Sequence, residues 1–156
     1  MNYECISAKE KHFPALENLM QFYMYDFSAY LKMDVEINGK FAPYPELKNY
    51  LNDKNKFPYI LLSDGNIIGF VLIKFVADDN YFSVAEFFIM KKYRRLGLGK
   101  KIALHIFDLH KGAWEIFQRE ENKSAQIFWK NVINEYTGGK MEEWFAQGRF
   151  YQRFNN

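Results

Sequence analysis

Cysteine is almost absent from this chain: Cys5 stands alone in 156 residues, which excludes an internal disulfide and a cysteine-based metal cage and fits a reducing, cytoplasmic setting. Proline and glycine are also scarce, at four and nine, so neither a disordered linker nor a fibrous repeat is in view. Long hydrophobic runs are missing. The longest, residues 67–73 with Gly69 inside it, is far below the ~20 residues that cross a bilayer, so no membrane segment is expected. The first ten residues have no basic start leading into an apolar stretch, which leaves export by a signal peptide unsupported. His12, His105 and His110 show no ligand spacing with one another or with paired carboxylates, so no metal site is expected. An excess of one charge is lacking too: 21 basic and 19 acidic side chains leave +2, against a nucleic-acid binder with a broad basic face.

What is present is an ordinary apolar fraction of 49% and an aromatic content of 19%, the latter high enough to line either a core or a substrate cleft. A chain of this length buries roughly two-thirds of its unfolded surface, so one domain over residues 1–156 is expected. Period-two patterning marks strands at residues 3–7, 57–62, 67–76 and 81–90, and Asp64-Gly65 between the second and third is a hairpin signal. Apolar positions Leu16, Leu19, Met20, Tyr23, Phe27, Tyr30 and Leu31 recur at helical spacing after Pro14. A short helix is expected at 46–51, a longer one from Gly97 to about Lys111, and another after Asn122, a natural helix cap. Further strands are expected at 114–118, 141–145 and 149–154, which makes the chain a mixed α/β (α+β) domain.

The charge is unevenly spread. Lys91, Lys92, Arg94, Arg95, Lys100 and Lys101 put +6 on eleven residues, and the rest of the chain carries −4, so a compact anionic ligand is implied. Two phosphate loops fail against this stretch: a P-loop needs a Gly and a hydroxyl residue where Arg94 and Lys101 stand, and a dinucleotide fingerprint needs Gly where Ile102 stands. Arg-x-x-Gly-x-Gly at the start of a helix remains, with backbone N–H groups able to close on a phosphate and a helix dipole worth about half a positive charge.

The segment Phe87-Phe88-Ile89-Met90-Lys91-Lys92-Tyr93-Arg94-Arg95-Leu96-Gly97-Leu98-Gly99 resembles the acyl-CoA-binding motif of the GNAT superfamily of N-acyltransferases. Asn122-x-x-Ala125-x-x-Phe128-Trp129 is similar to that family's later helix motif, and the element order agrees over nearly the whole chain. The resemblance implies a central, mostly antiparallel, splayed sheet flanked by helices, with acetyl-CoA as the acyl donor. It assigns Arg94, Arg95, Leu96, Gly97, Leu98, Gly99 and Lys100 to the CoA pyrophosphate, with Lys100 or Lys101 reaching a phosphate. It sets the backbones of Phe88, Ile89 and Met90 along the pantetheine arm, with an N–H near Ile89 at the oxyanion. Asn122 either touches the cofactor, caps its helix, or does both.

Acetyl transfer to an amine needs a base, because the amine is protonated at neutral pH. Glu86 shares a strand face with Phe82, Val84, Phe88 and Met90, a setting that favours a base; pairing with a Lys or Arg is the structural alternative. The family's usual acid is a Tyr at the position held here by Trp129, whose indole gives up no proton at neutral pH, so Trp129 counts as a cofactor-side residue and the acid is unassigned. In the first helix, Tyr25 and Asp26 suit an amine cation held over an aromatic face, while Tyr23, Phe27 and Tyr30 read as the buried stripe. The expected activity is N-acetylation of a small-molecule or peptide amine by a monomer or homodimer, without nucleic acid or membrane. Two alternatives stand beside it, a non-catalytic acyl-CoA sensor and a small RNA-binding domain.

Overall fold

The computed structural model describes residues 2–156. Among these residues seven strands form one open sheet: β1 (Tyr3–Ser7), β2 (Lys56–Ser63), β3 (Asn66–Val76), β4 (Tyr81–Ile89), β5 (Ala113–Arg119), β6 (Glu142–Ala146) and β7 (Arg149–Asn155). Their order across the sheet is β1-β2-β3-β4-β5-β7-β6. Among the described residues, three α-helices complete the fold, α1 (Phe13–Phe27), α2 (Leu98–Leu109) and α3 (Lys123–Thr137). The sheet is mostly antiparallel, with β1 on β2 from Tyr3↔Ser63 to Ser7↔Tyr59 and β7 between β5 and β6; β4 and β5 run parallel and meet at Phe82 opposite Trp114. The mixed α/β expectation therefore holds, and the strand boundaries shift by a residue or so. At the β2–β3 hairpin, Asp64 and Gly65 both have positive φ (48° and 80°), the twist that matches the flanking strands.

Backbone contacts divide the chain into two compact units. One runs as far as Ile73 and takes back Ala85–Met90. Its core sets Leu16, Leu19, Met20 and Met24 of α1 against Ile60, Phe70, Leu72 and Phe88 of the strands. Helix α1 stops sooner than its apolar spacing suggests: Tyr30 and Leu31 turn their N–H groups to the Phe27 carbonyl, and Tyr30 lies exposed. The short helix expected at 46–51 is a 3-10 turn, Leu47–Leu51, anchored by buried Leu47 and Tyr50.

The other unit holds Lys74–Val84 and Lys91–Asn156. Fully buried Trp114 is its centre, with Phe107 at 4.9 Å, Phe82 at 5.5 Å and Phe154 stacked at 6.2 Å between ring centroids. The indole N–H donates to the His110 carbonyl at 3.0 Å, so the polar tip of this ring is satisfied inside the core. On β5 and β7 the buried amides of Gln118 and Gln152 bond each other reciprocally at 2.8 and 3.1 Å.

Strict alternation along β4 does not survive. Ala85 and Phe88, of opposite parity, both pack on the α1 core cluster, while Phe82 packs on Trp114 and His110. Gly69 of β3 lies against this part of β4: a Cβ built there would sit 2.0 Å from the Phe88 carbonyl oxygen. A backbone atom cannot swing aside as a side chain does. Gly69→Ala is therefore expected to cost about 1–3 kcal/mol through overpacking. A urea midpoint for Gly69→Ala equal to that of the unsubstituted protein would show that β4 moves away without loss.

Candidate active site

Glu86 sits half-buried on β4 in the first unit, where its carboxylate needs donors to replace water. Two tyrosines supply them. Tyr23 of α1 donates its hydroxyl to Oε2, and Tyr44 donates to Oε1 at 2.9 Å. The Tyr23 ring is enclosed by Phe27, Phe70 and Phe88 at 4.6, 5.8 and 6.1 Å between centroids. Tyr44 comes from the irregular segment after α1, between Pro43 and Pro45. Gln21 of α1 holds that segment, accepting from the Phe41 N–H at 2.9 Å and donating to the Phe41 carbonyl at 3.0 Å. Burial first, and then the Glu86 charge, raise the pKa of both hydroxyls well above the usual tyrosine value, so each keeps its proton and donates. Tyr50 is raised in the same way.

In the second unit, the basic segment begins with the 3-10 turn Lys91–Tyr93 and enters α2 through Arg95 and Gly97, both left-handed at φ 62° and 76°. Gly97 occupies the N-cap position and makes no side-chain cap. The first helical N–H groups, at Leu98, Gly99 and Lys100, have no carbonyl within the helix to meet, whereas the Lys101 N–H bonds Gly97 at 3.3 Å. A Cβ at Gly97 would find open space, so the positive φ is what calls for glycine there. Arg94, Arg95 and Lys101 surround this helix start in the chain, while Lys100 pairs with Glu135 of α3 at 2.7 Å. A helix N-terminus without a side-chain cap and flanked by cations suits a phosphate, and the residues present fit the coenzyme A pyrophosphate.

Two residues singled out in the later motif have structural duties on α3. Asn122 Oδ1 caps the helix, accepting from the Ala125 N–H at 3.1 Å. Trp129 is buried beside Phe128 and Phe107, with centroids 4.9 and 6.3 Å away. On α1, exposed Tyr25 lines a cleft of about 490 Å³ with Phe22, Met33, Asp34, Val35 and Phe41; half-buried Asp26 is outside that lining. Phe88 and Ile89 are buried at the end of β4, and the Met90 N–H donates to the Ile68 carbonyl at 2.8 Å. Helical spacing places Tyr23 in the buried stripe, and nothing in the sequence singles out Tyr44, 42 residues from Glu86. No periodicity links two such positions. Among the described residues, no cluster of three His, Cys, Asp or Glu side chains could hold a metal ion, and no helix is long and apolar enough to cross a membrane. Burial pushes the Cys5 thiol up to about 12, leaving it protonated.

Residues 16–132 match the acetyltransferase (GNAT) family. Among curated proteins no sequence matches. Solved structures share the fold. An acetyltransferase from Thermus thermophilus superposes with a TM-score of 0.74 at 13% identity, covering 100% of this chain and 98% of that one. The PaiA N-acetyltransferase of Thermoplasma acidophilum, in complex with coenzyme A, gives 0.68 at 10% identity with both chains fully covered. The ribosomal-protein-S18-alanine N-acetyltransferase of Escherichia coli gives 0.65 at 14% identity, covering 99% of this chain and 94% of that one.

The tyrosine environment sets a pH dependence with a definite sign. The folded chain keeps the Tyr23 proton beyond the ordinary value of 10.0, at which the unfolded chain releases it. Stability is therefore intact below about pH 10 and falls as pH rises further, by roughly 1.4 kcal/mol per pH unit for Tyr23 and less for the better-solvated Tyr44. Urea midpoints at pH 8, 10 and 11 should fall less steeply in Tyr23→Phe than in the unsubstituted protein; parallel slopes would refute the assignment.

Proposed function

The chain belongs to the acetyltransferase (GNAT) family, and from that premise we propose that it transfers an acetyl group from acetyl-CoA to a primary amine of a small molecule or peptide. The observation that carries this reading is the start of α2, delivered by the Gly97 turn without a side-chain cap and flanked by Arg94, Arg95 and Lys101. Coenzyme A brings a pyrophosphate, which this helix start would bind through the N–H groups of Leu98, Gly99 and Lys100 with the help of the helix dipole. The Lys100 ammonium is engaged by Glu135, so its contribution to this site is the backbone N–H. The pantetheine arm is assigned to the end of β4, along the backbones of Phe88, Ile89 and Met90, where the Met90 N–H bonds the Ile68 carbonyl.

Acetyl-CoA supplies the thioester carbonyl, and the protein must supply a route for the amine proton. Glu86 is the carboxylate for that task, held in place by two hydroxyl donors. Trp129 packs and contributes no proton, and Asn122 acts as the cap of α3. The acceptor is assigned to the cleft at the end of α1, where Phe22 and Tyr25 offer aromatic faces and Asp34, rather than Asp26, supplies the negative charge for an ammonium group.

Release of free thiol from acetyl-CoA in the presence of polyamines, amino acids, aminoglycosides or peptides tests the activity. Coenzyme A binding without turnover on any acceptor would favour an acyl-CoA sensor instead. Two substitutions separate the parts. Gly99→Glu places a carboxylate in the first turn of α2, where it suits the helix dipole but repels a pyrophosphate. It should leave the fold intact and abolish coenzyme A binding in calorimetry, and unchanged affinity would remove the phosphate-loop assignment. Glu86→Gln should lower turnover roughly a hundredfold with coenzyme A affinity unchanged. Survival of the acid limb of the pH–rate profile in that variant would end the base assignment.

A further inference from the structure

We infer that Tyr44 is a catalytic residue, the hydroxyl through which the amine proton reaches Glu86, and that Tyr23 is the positioning residue that holds Glu86 for this exchange. The inference rests on the acetyl-transfer reading above and deepens it. Each carboxylate oxygen of Glu86 already accepts a phenolic hydrogen, Oε2 from Tyr23 and Oε1 from Tyr44. The two donors have different surroundings. Rings of Phe27, Phe70 and Phe88 pack around Tyr23, which is the more deeply buried of the two. Tyr44 rides on the irregular segment between α1 and the Leu47–Leu51 turn and is only partly buried. Buried Phe41 and Leu47 pin that segment on either side, and Gln21 clamps Phe41 to α1 by two hydrogen bonds. A hydroxyl fixed at 2.9 Å from a carboxylate can pass it a proton taken from an amine that reaches the same hydroxyl. The same Phe41 and Met33 that pack in the cluster with Tyr23 and Tyr44 also line the cleft assigned to the acceptor.

The step balances. The bound ammonium first loses one proton to solvent; as the resulting neutral amine nitrogen bonds to the acetyl carbon and the carbon–sulfur bond breaks, a second N–H proton passes to Tyr44 Oη while the Tyr44 proton passes to Glu86 Oε1. Coenzyme A then departs as a thiolate. Reversal of the same path returns the proton from Glu86 through Tyr44 to the thiolate sulfur, restoring the ionised carboxylate and supplying the acid that Trp129 cannot. Tyr44 stays neutral at rest throughout, in keeping with a hydroxyl whose pKa burial and Glu86 hold high. Tyr50 from the 3-10 turn and Glu46 just before it are further ionisable groups that bear on this pair.

The test compares turnover and acceptor KM for Tyr44→Phe, Tyr23→Phe, Glu86→Gln and the double variant Tyr44→Phe/Glu86→Gln, with melting temperatures alongside. A relay predicts a loss in kcat of roughly a hundredfold for Tyr44→Phe with acceptor KM nearly unchanged, and no further loss in the double variant, because both substitutions cut one path. Tyr23→Phe should lose less turnover and keep the shape of the pH–rate profile. Fluorotyrosine at position 44, which keeps the hydroxyl and the ring shape, should retain most of the turnover that Tyr44→Phe loses. A raised KM with surviving kcat in Tyr44→Phe, additive losses in the double variant, or a fluorotyrosine protein as slow as Tyr44→Phe would overturn the relay while leaving acetyl transfer standing. A protein that transfers acetyl to no acceptor would instead remove the activity, and the relay with it.

Discussion

A carboxylate placed among aromatic rings is the constraint around which the first unit is organised. Burying an ionised group without partners is among the costliest events in folding, and Glu86 is spared that cost by two tyrosine hydroxyls from separate parts of the chain. Satisfying it fixes the rotation of α1, since Tyr23 must point inward at the position where the ring also packs on Phe70 and Phe88. It also fixes a loop. The segment from α1 to the 3-10 turn would otherwise be free to wander, and it is held at Phe41 by Gln21 and at Tyr44 by Glu86.

The second unit answers to a different constraint, the unmet donors at the start of a helix. Helices usually cap their first turn with a Ser, Thr, Asp or Asn side chain. Here α3 follows that habit through Asn122, and α2 departs from it, beginning at Gly97 with no side-chain cap. Two helices in one compact unit thus begin differently, one with a side-chain cap and one without it beside a run of cations. The aromatic core around Trp114 keeps the α2 scaffold rigid, through Phe107 on α2 and Phe154 on β7.

Local patterns are legible in the sequence. The Asp64-Gly65 hairpin, the helix after Gly97 and the Asn122 cap all depend on neighbours within a few residues, and each is found where the pattern puts it. Where the pattern continues but the packing stops, spacing alone overruns: the apolar positions of Tyr30 and Leu31 extend the first helix on paper, yet the backbone ends it at Phe27. Alternation through β4 fails for a related reason, because parity shifts between Ala85 and Phe88 where the backbone of β4 lies against Gly69.

By itself, the sequence determined the family, the basic helix start and the identity of one carboxylate on one strand, because motif spacing and short-range periodicity are written along the chain. Which groups meet that carboxylate was decided only by the tertiary structure. Tyr23 and Tyr44 lie 63 and 42 residues from Glu86, and eleven tyrosines compete for notice in the sequence. A hydrogen bond between distant residues depends on how α1, β4 and a proline-bounded loop pack together, and packing is a property of three dimensions that no spacing encodes. The ion pair between Lys100 and Glu135 of α3 is likewise a contact that only the tertiary structure discloses.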